Sequence, residues 1–297
     1  MPQPSRASAA SDTPLPALET PLRDSLATLR QRADAGESAA ACRLAAEFEY
    51  CHQIRYRLAA ASETLREQER SGINTASGLS EQTRQNLRNM MAANSEHLLK
   101  ESEHCEGVPL STAAERVRYW RQAALAGSTP ALRHYAVGNA FRLNETLENL
   151  EALVVYRREA EALAWRGVAS GDLHTGFALA SALSPQRNEL RRYFLAQAVK
   201  PDKAKALALY LHLERQLQSA PAAFDGLRAQ VEQQRSELLA DLDASMQARA
   251  RELAAGYARD WTPASWEPAA VPTPGARGTP DAARAECSRP VTEHATR

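Results

Sequence analysis

Placed on a common origin, Gly36, Gly127 and Gly171 are followed by one pattern of small and large residues. Four positions on stand Ala40, Ala131 and Thr175; eight on, Leu44, Tyr135 and Leu179; nine on, Ala45, Ala136 and Ala180. Upstream, a large apolar residue precedes each glycine by six or seven positions: Leu29, Trp120 and Trp165. A small residue on the second helix lets two backbones approach, and the large residue one turn later fills the groove. Glycine closes the first helix in the left-handed conformation. The pattern therefore predicts helix, glycine turn and helix, three times over.

The glycines lie 91 and 44 positions apart, so one interval matches a helical-pair repeat and the other is two periods or one period with a long insertion. Start signals agree with this division: Thr112 and Glu115 have capping-box spacing, and Ser80 precedes another helical run. Further along, Leu227, Val231, Leu238, Leu242, Met246 and Leu253 form an apolar stripe with charged flanks, predicting one long helix or a bent pair that caps the array. Nine or ten helices and no strand are expected.

Of the sixteen prolines, five fall in residues 1–21 and six in 263–290. That distribution predicts disordered tails at 1–21 and 262–297, a repeat domain at 22–218 with a helical insertion at 52–104, and the capping helix at 219–261. Composition supports helix throughout: alanine is the commonest residue and aromatics are 6%. Lys plus Arg and Asp plus Glu are both 36, leaving no net field to attract nucleic acid. No apolar run is long enough to span a membrane. Residues 1–16 have no basic start followed by an apolar core, which reads as cytoplasmic for the sequence as written, whereas an oxidised cysteine pair would place the protein in the periplasm or outside the cell.

"CEGVP" followed by "AERVRYWRQAALAGSTPALRHYA", then "AEALAWRGVASGDLHTGFALASAL", resembles the Sel-one-like repeat, a relative of the tetratricopeptide repeat. "PDKAKALALYLHLE" is similar to the start of a further unit. The resemblance covers 22–215 and departs from the family pattern where alanine replaces glycine at 45, 136 and 180. It implies an all-α solenoid of degenerate helical pairs and a non-enzymatic protein–protein scaffold whose partner is a peptide or a folded protein. The alternative it implies is a hydrolase or regulator of cell-wall metabolism, although the relatives linked to that chemistry carry cysteine pairs in nearly every repeat.

Candidate chemistry is sparse. The sequence has no Gly-x-Ser-x-Gly, no Gly-x-x-x-x-Gly-Lys, no Gly-x-Gly-x-x-Gly and no His-Glu-x-x-His, and its seven histidines are scattered along the chain. No catalytic residue, metal or cofactor is expected. In the family a helix end and the start of the next unit lie close, so Cys51 and Cys105 are disulfide candidates; free buried thiols and a metal remain alternatives. Such a bond would stabilise by roughly 3 to 4 kcal/mol in the loop-entropy model. Cys42 falls in the core pattern and Cys287 in the C-terminal tail. Arg118, Tyr119, Arg121, Arg157 and Arg158 take similar places in successive units and form the expected partner-binding set, since arginine and tyrosine are common interface anchors. The competing account is that these arginines simply solvate helices.

Overall fold

The computed structural model describes residues 13–71, 80–184, 194–264 and 280–289. Among them the protein is all α, with twelve helices and no strand. Helices α1 (Leu22–Asp34) and α2 (Ser38–Ser71) meet at Gly36, α4 (Ala113–Leu125) and α5 (Thr129–Ala136) at Gly127, and α6 (Leu150–Ala169) and α7 (Leu173–Leu183) at Gly171. Between them α3 (Glu81–Glu103) returns along α2; beyond them lie α8 (Phe194–Ala198), α9 (Lys203–Leu217), α10 (Asp225–Ala240), α11 (Ala244–Asp260) and α12 (Pro280–Cys287).

The three turns are built alike. Gly36, Gly127 and Gly171 have φ of 96°, 95° and 89°. At each, the glycine N–H donates to the carbonyl three residues back, and the next N–H donates to the carbonyl five residues before it: Glu37 to Arg32, Ser128 to Ala123 and Asp172 to Gly167. This is the Schellman closure, which a left-handed glycine makes possible. Ser128 and Asp172 then cap the following helices by accepting from the N–H groups of Ala131 and Thr175. Ala40, Ala131 and Thr175, Leu44, Tyr135 and Leu179, and Ala45, Ala136 and Ala180 are all fully buried.

A contact between units also recurs. Gln122, five residues before Gly127, donates to the carbonyl of Ala33, three residues before Gly36. Arg166, five residues before Gly171, donates to the carbonyl of Ala124, three residues before Gly127. Each first helix thus takes up a carbonyl at the end of the preceding first helix, where intrahelical donors run out.

Packing follows chain order: α1 on α2, α2 on α3 and α4, α4 on α5, α5 on α6, α6 on α7, α7 on α8 and α9, and α9 on α10 and α11. The expected 52–104 insertion is the distal part of α2 together with α3, running antiparallel from the Cys51–Cys105 bond and the Arg57–Glu101 ion pair. Leu98 is the one buried residue of α3, so little of this hairpin belongs to the core.

The expected capping helix is a bent pair, because Asp243 accepts from the Met246 N–H and starts a new helix. The two expected tails carry structure at 13–21 and 280–289, and they meet: Arg284 of α12 donates to the carbonyl of Leu18. Proline density marks entry and exit of the chain well but does not register a short helix anchored from elsewhere.

The shared turn geometry yields a contrast. A Cβ on Gly127 meets nothing within 4 Å, whereas one on Gly171 lies 2.7 Å from the Pro263 carbonyl oxygen, in a segment held by the Thr262 N–H to Ala169 bond. Gly127→Ala is expected to cost about 1 kcal/mol of left-handed strain and Gly171→Ala at least about twice that in denaturant melts. Equal costs would show that 262–263 does not rest on the turn.

Candidate functional site

The inward side of α6 is Leu153, Tyr156, Ala160, Leu163, Ala164, Gly167 and Val168. Its other side begins upstream of the helix. Leu143 and Leu147 are 59% and 83% exposed, and Leu150 and Val154 are 54% and 51% exposed. Spacings of four, three and four are those of one side of a helix, and all four side chains are exposed. The stretch is made of two pieces, a short 3-10 helix at Leu143–Glu145 and α6 from Leu150, joined by turns across which Asn149 N–H donates to Glu145 and Leu153 N–H to Asn149. Arg157 and Arg158, three and four positions beyond Val154, are exposed and extend the row. Large apolar side chains at such exposure in consecutive turns are the composition of an interaction surface.

Glu145, within the row's first segment, belongs to a network of ion pairs. Glu145 is buried and ion-paired with Arg116, itself 2% exposed, whose guanidinium also donates to the Ser111 carbonyl. Arg142 stands 3.8 Å from both Glu145 and Glu49, and Glu49 lies 3.3 Å from His134, which stacks on Trp120 at 4.0 Å. Burial alone would raise the Glu49 carboxyl, but His134, Arg142 and Arg116 outweigh it and hold it below the usual carboxylate range. Behind Asn149, Phe141 packs on Tyr156 at 4.9 Å, and the Tyr156 hydroxyl donates to the Ala136 carbonyl.

His52 borders this network, 3.7 Å from Glu145. Burial, reinforced by Arg142 and Arg116, lowers its pKa to about 4 against the opposing pull of Glu145 and Glu49. Burial likewise lowers His174 to about 4. Both rings are therefore neutral in the fold and take up protons on unfolding below the ordinary histidine value of about 6.5. Stability is expected to be independent of these groups above pH 6.5 and to fall as pH drops from 6.5 towards 4. Histidine ring NMR resonances checked across that range should stay unshifted for His52 and His174 at pH 5; midpoints near 6.5 would contradict the burial argument.

The five residues expected to contact a partner separate into three groups. Tyr119 is 1% exposed, tilted on Phe48 at 6.1 Å, and its hydroxyl donates to Asp34, so it is part of the packing between α1 and α4. Arg118 lies over the Tyr119 ring at 4.2 Å and 3.6 Å from the same Asp34. Arg121 forms a two-pronged pair with Glu159 at 2.7 and 2.8 Å, and the Tyr135 hydroxyl donates to the same carboxylate. That clamp joins α4, α5 and α6. Arg157 and Arg158 stand apart from these on the exposed row, with Arg157 donating to Gln197 at 3.4 Å.

Sequence reasoning missed the apolar part of the row, although the spacing of 143, 147, 150 and 154 was its signal. It also missed a second cysteine pair. Cys51 is bonded to Cys105 and Cys42 to Cys287, leaving no free thiol. With four cysteines and one pair assigned, the other pair was the remaining choice. Among the described residues no group of three or more His, Cys, Asp or Glu is arranged to hold a metal ion, and no helix is long and apolar enough to cross a membrane. No protein-family model, curated protein or solved structure matches this chain.

Proposed function

We propose that the chain is a non-enzymatic interaction scaffold, a short α-solenoid of helical pairs similar to Sel-one-like repeats, that presents the α6 row to an amphipathic helical segment. The repeated turns, the repeated side-chain bond to a helix-end carbonyl and packing in chain order support the solenoid reading. The observation that carries the functional reading is the row itself: Leu143, Leu147, Leu150 and Val154 exposed and followed by the exposed Arg157 and Arg158. Apolar anchors at helical spacing suit a partner helix laid alongside, and the two arginines suit acidic residues at one of its ends. The two disulfides fit an oxidising compartment.

The test compares partner capture by the native chain with capture by Leu147→Glu/Leu150→Glu and by Arg157→Glu/Arg158→Glu. Burying a leucine is worth roughly 1.5 to 3 kcal/mol, so the double leucine variant is expected to lose at least about tenfold in affinity. The arginine variant should slow association and weaken its salt dependence. Leu87→Glu, at an exposed position of α3, should leave binding unchanged. Retained binding by the leucine variant at unchanged thermal stability would overturn the assignment.

A further inference from the structure

Helix α12 packs on α2 and α5, although nineteen positions, 261–279, separate it from α11. Beyond the packing of Ala283 and Cys287 on the core, it is held there by polar and covalent bonds. Arg284 pairs with Glu47 at 2.8 Å and lies over the Tyr50 ring at 4.2 Å. Glu286 pairs with Arg133 at 3.1 Å, Ser288 accepts from Arg43 and Cys287 is bonded to Cys42.

The charges beneath it do not depend on it. Glu47 is also paired with Arg43 at 2.6 Å and His104 at 2.8 Å, and Arg133 with Asp172 at 2.6 Å. Lifting α12 away therefore leaves Glu47 and Arg133 with partners, the condition under which uncovering a charged face carries little penalty. A helix of eight residues has little stability of its own. Along one edge the contact stays open, with a cleft of about 440 Å³ between Tyr50, Lys100, His104 and Arg284.

We propose that this α2–α5 face is a docking site for a short helix of Arg-x-Glu-Cys pattern, with the chain's own 280–289 as its tethered occupant and the same segment of a second copy as its exchange partner once Cys42–Cys287 is reduced. Reduction is by an external dithiol. One of its thiolates attacks the disulfide and expels a protein thiolate; its second thiol displaces the other cysteine. Two electrons and two protons pass to the pair, and the dithiol leaves as a cyclic disulfide.

The test uses the full chain carrying Arg284→Ala and Cys287→Ser, which weakens the resident helix, frees Cys42 and leaves Cys51–Cys105 in place. The probe is a synthetic 280–289 peptide, standing for the second copy, whose cysteine is activated as a thionitrobenzoate mixed disulfide. Cys42 attacks, and released thionitrobenzoate reports the bond. Capture is expected to be at least about tenfold faster than for a peptide with alanine in place of Arg284 and Glu286. Equal rates would mean thiol reactivity without recognition and would overturn the proposal, as would absence of capture by a Cys42 that reacts with a small reagent. Should the variant not fold, hydrogen exchange on the native chain decides: at dithiol concentrations that reduce Cys42–Cys287, residues 283–289 should lose protection while 40–54 of α2 keep it. Simultaneous loss in both would overturn the proposal.

Discussion

Arg116→Ala is expected to lower stability by roughly 3 to 5 kcal/mol, the range for breaking a buried ion pair from one side. The cause is local: Glu145 is left in a site that burial and Arg116 together define, with Arg142 at 3.8 Å and His52 at 3.7 Å as its remaining neighbours. Because Glu145 shares its short helix with Leu143 and lies two residues before Leu147, the damage should reach the exposed row, and partner binding should weaken with stability. Replacing both members, Arg116→Met with Glu145→Leu, removes the unpaired charge and should recover most of the loss. Chemical denaturation of the two variants checks this. A single replacement as mild as the double would show that the pair is solvated.

The second large effect concerns the disulfides and reverses the ranking that loop length alone suggests. Cys51–Cys105 spans 54 residues and Cys42–Cys287 spans 245, so loop entropy assigns them roughly 4 and 5.5 kcal/mol. The first pair joins α2 to the end of α3, where the Leu22 N–H to His104 carbonyl bond and the two bonds from Arg55 to the carbonyls of Cys105 and Val108 already hold the geometry. Its removal by Cys51→Ser/Cys105→Ser should show most of its loop entropy as lost stability. For Cys42–Cys287, with 280–289 a detachable occupant, locking in the folded chain closes only 261–279. That closure costs about 3 kcal/mol, so the net contribution to global stability falls to roughly 2 kcal/mol. Cys42→Ser/Cys287→Ser should therefore be the milder variant in a global melt, with exchange protection lost in α12. A larger loss than for the 51–105 variant would mean that α12 is an integral part of the core.

Much of the fold was legible because its determinants are local. A left-handed glycine, a cap at Ser128 or Asp172 and an alanine at close approach act within one turn, and the sequence displays them in order. The caps at Thr112 and Ser80 likewise appear, although the Glu115 carboxylate pairs with Arg30 rather than completing the expected box. What stayed hidden depends on partners distant in sequence. Tyr119 looks like a surface anchor until packing brings Asp34 to it, and the pairing of the half-exposed Arg121 with Glu159 depends on a helix 38 positions away. Helix α12 has a composition typical of a tail, and Glu47, Arg133 and Cys42 give it a place. A fourth glycine turn, at Gly138, escaped the alignment because it ends the short helix α5 and lacks the downstream pattern of the other three. The candidate site was half visible: Arg157 and Arg158 stood out by charge, whereas the four apolar residues before them resembled ordinary core until Glu145, Asn149 and Leu153 were seen to occupy the inward positions.

Site-specific photocrosslinking of the full chain in its native cell tests the central claim most directly. A photoreactive residue at Leu147 or Val154, on the α6 row, should give one shared adduct that Arg157→Glu/Arg158→Glu diminishes, while the same residue at Leu87 or Met90 on α3 should not give it. Adducts that are absent at 147 and 154, or identical at all four positions, would contradict the account of α6 as the partner-binding face.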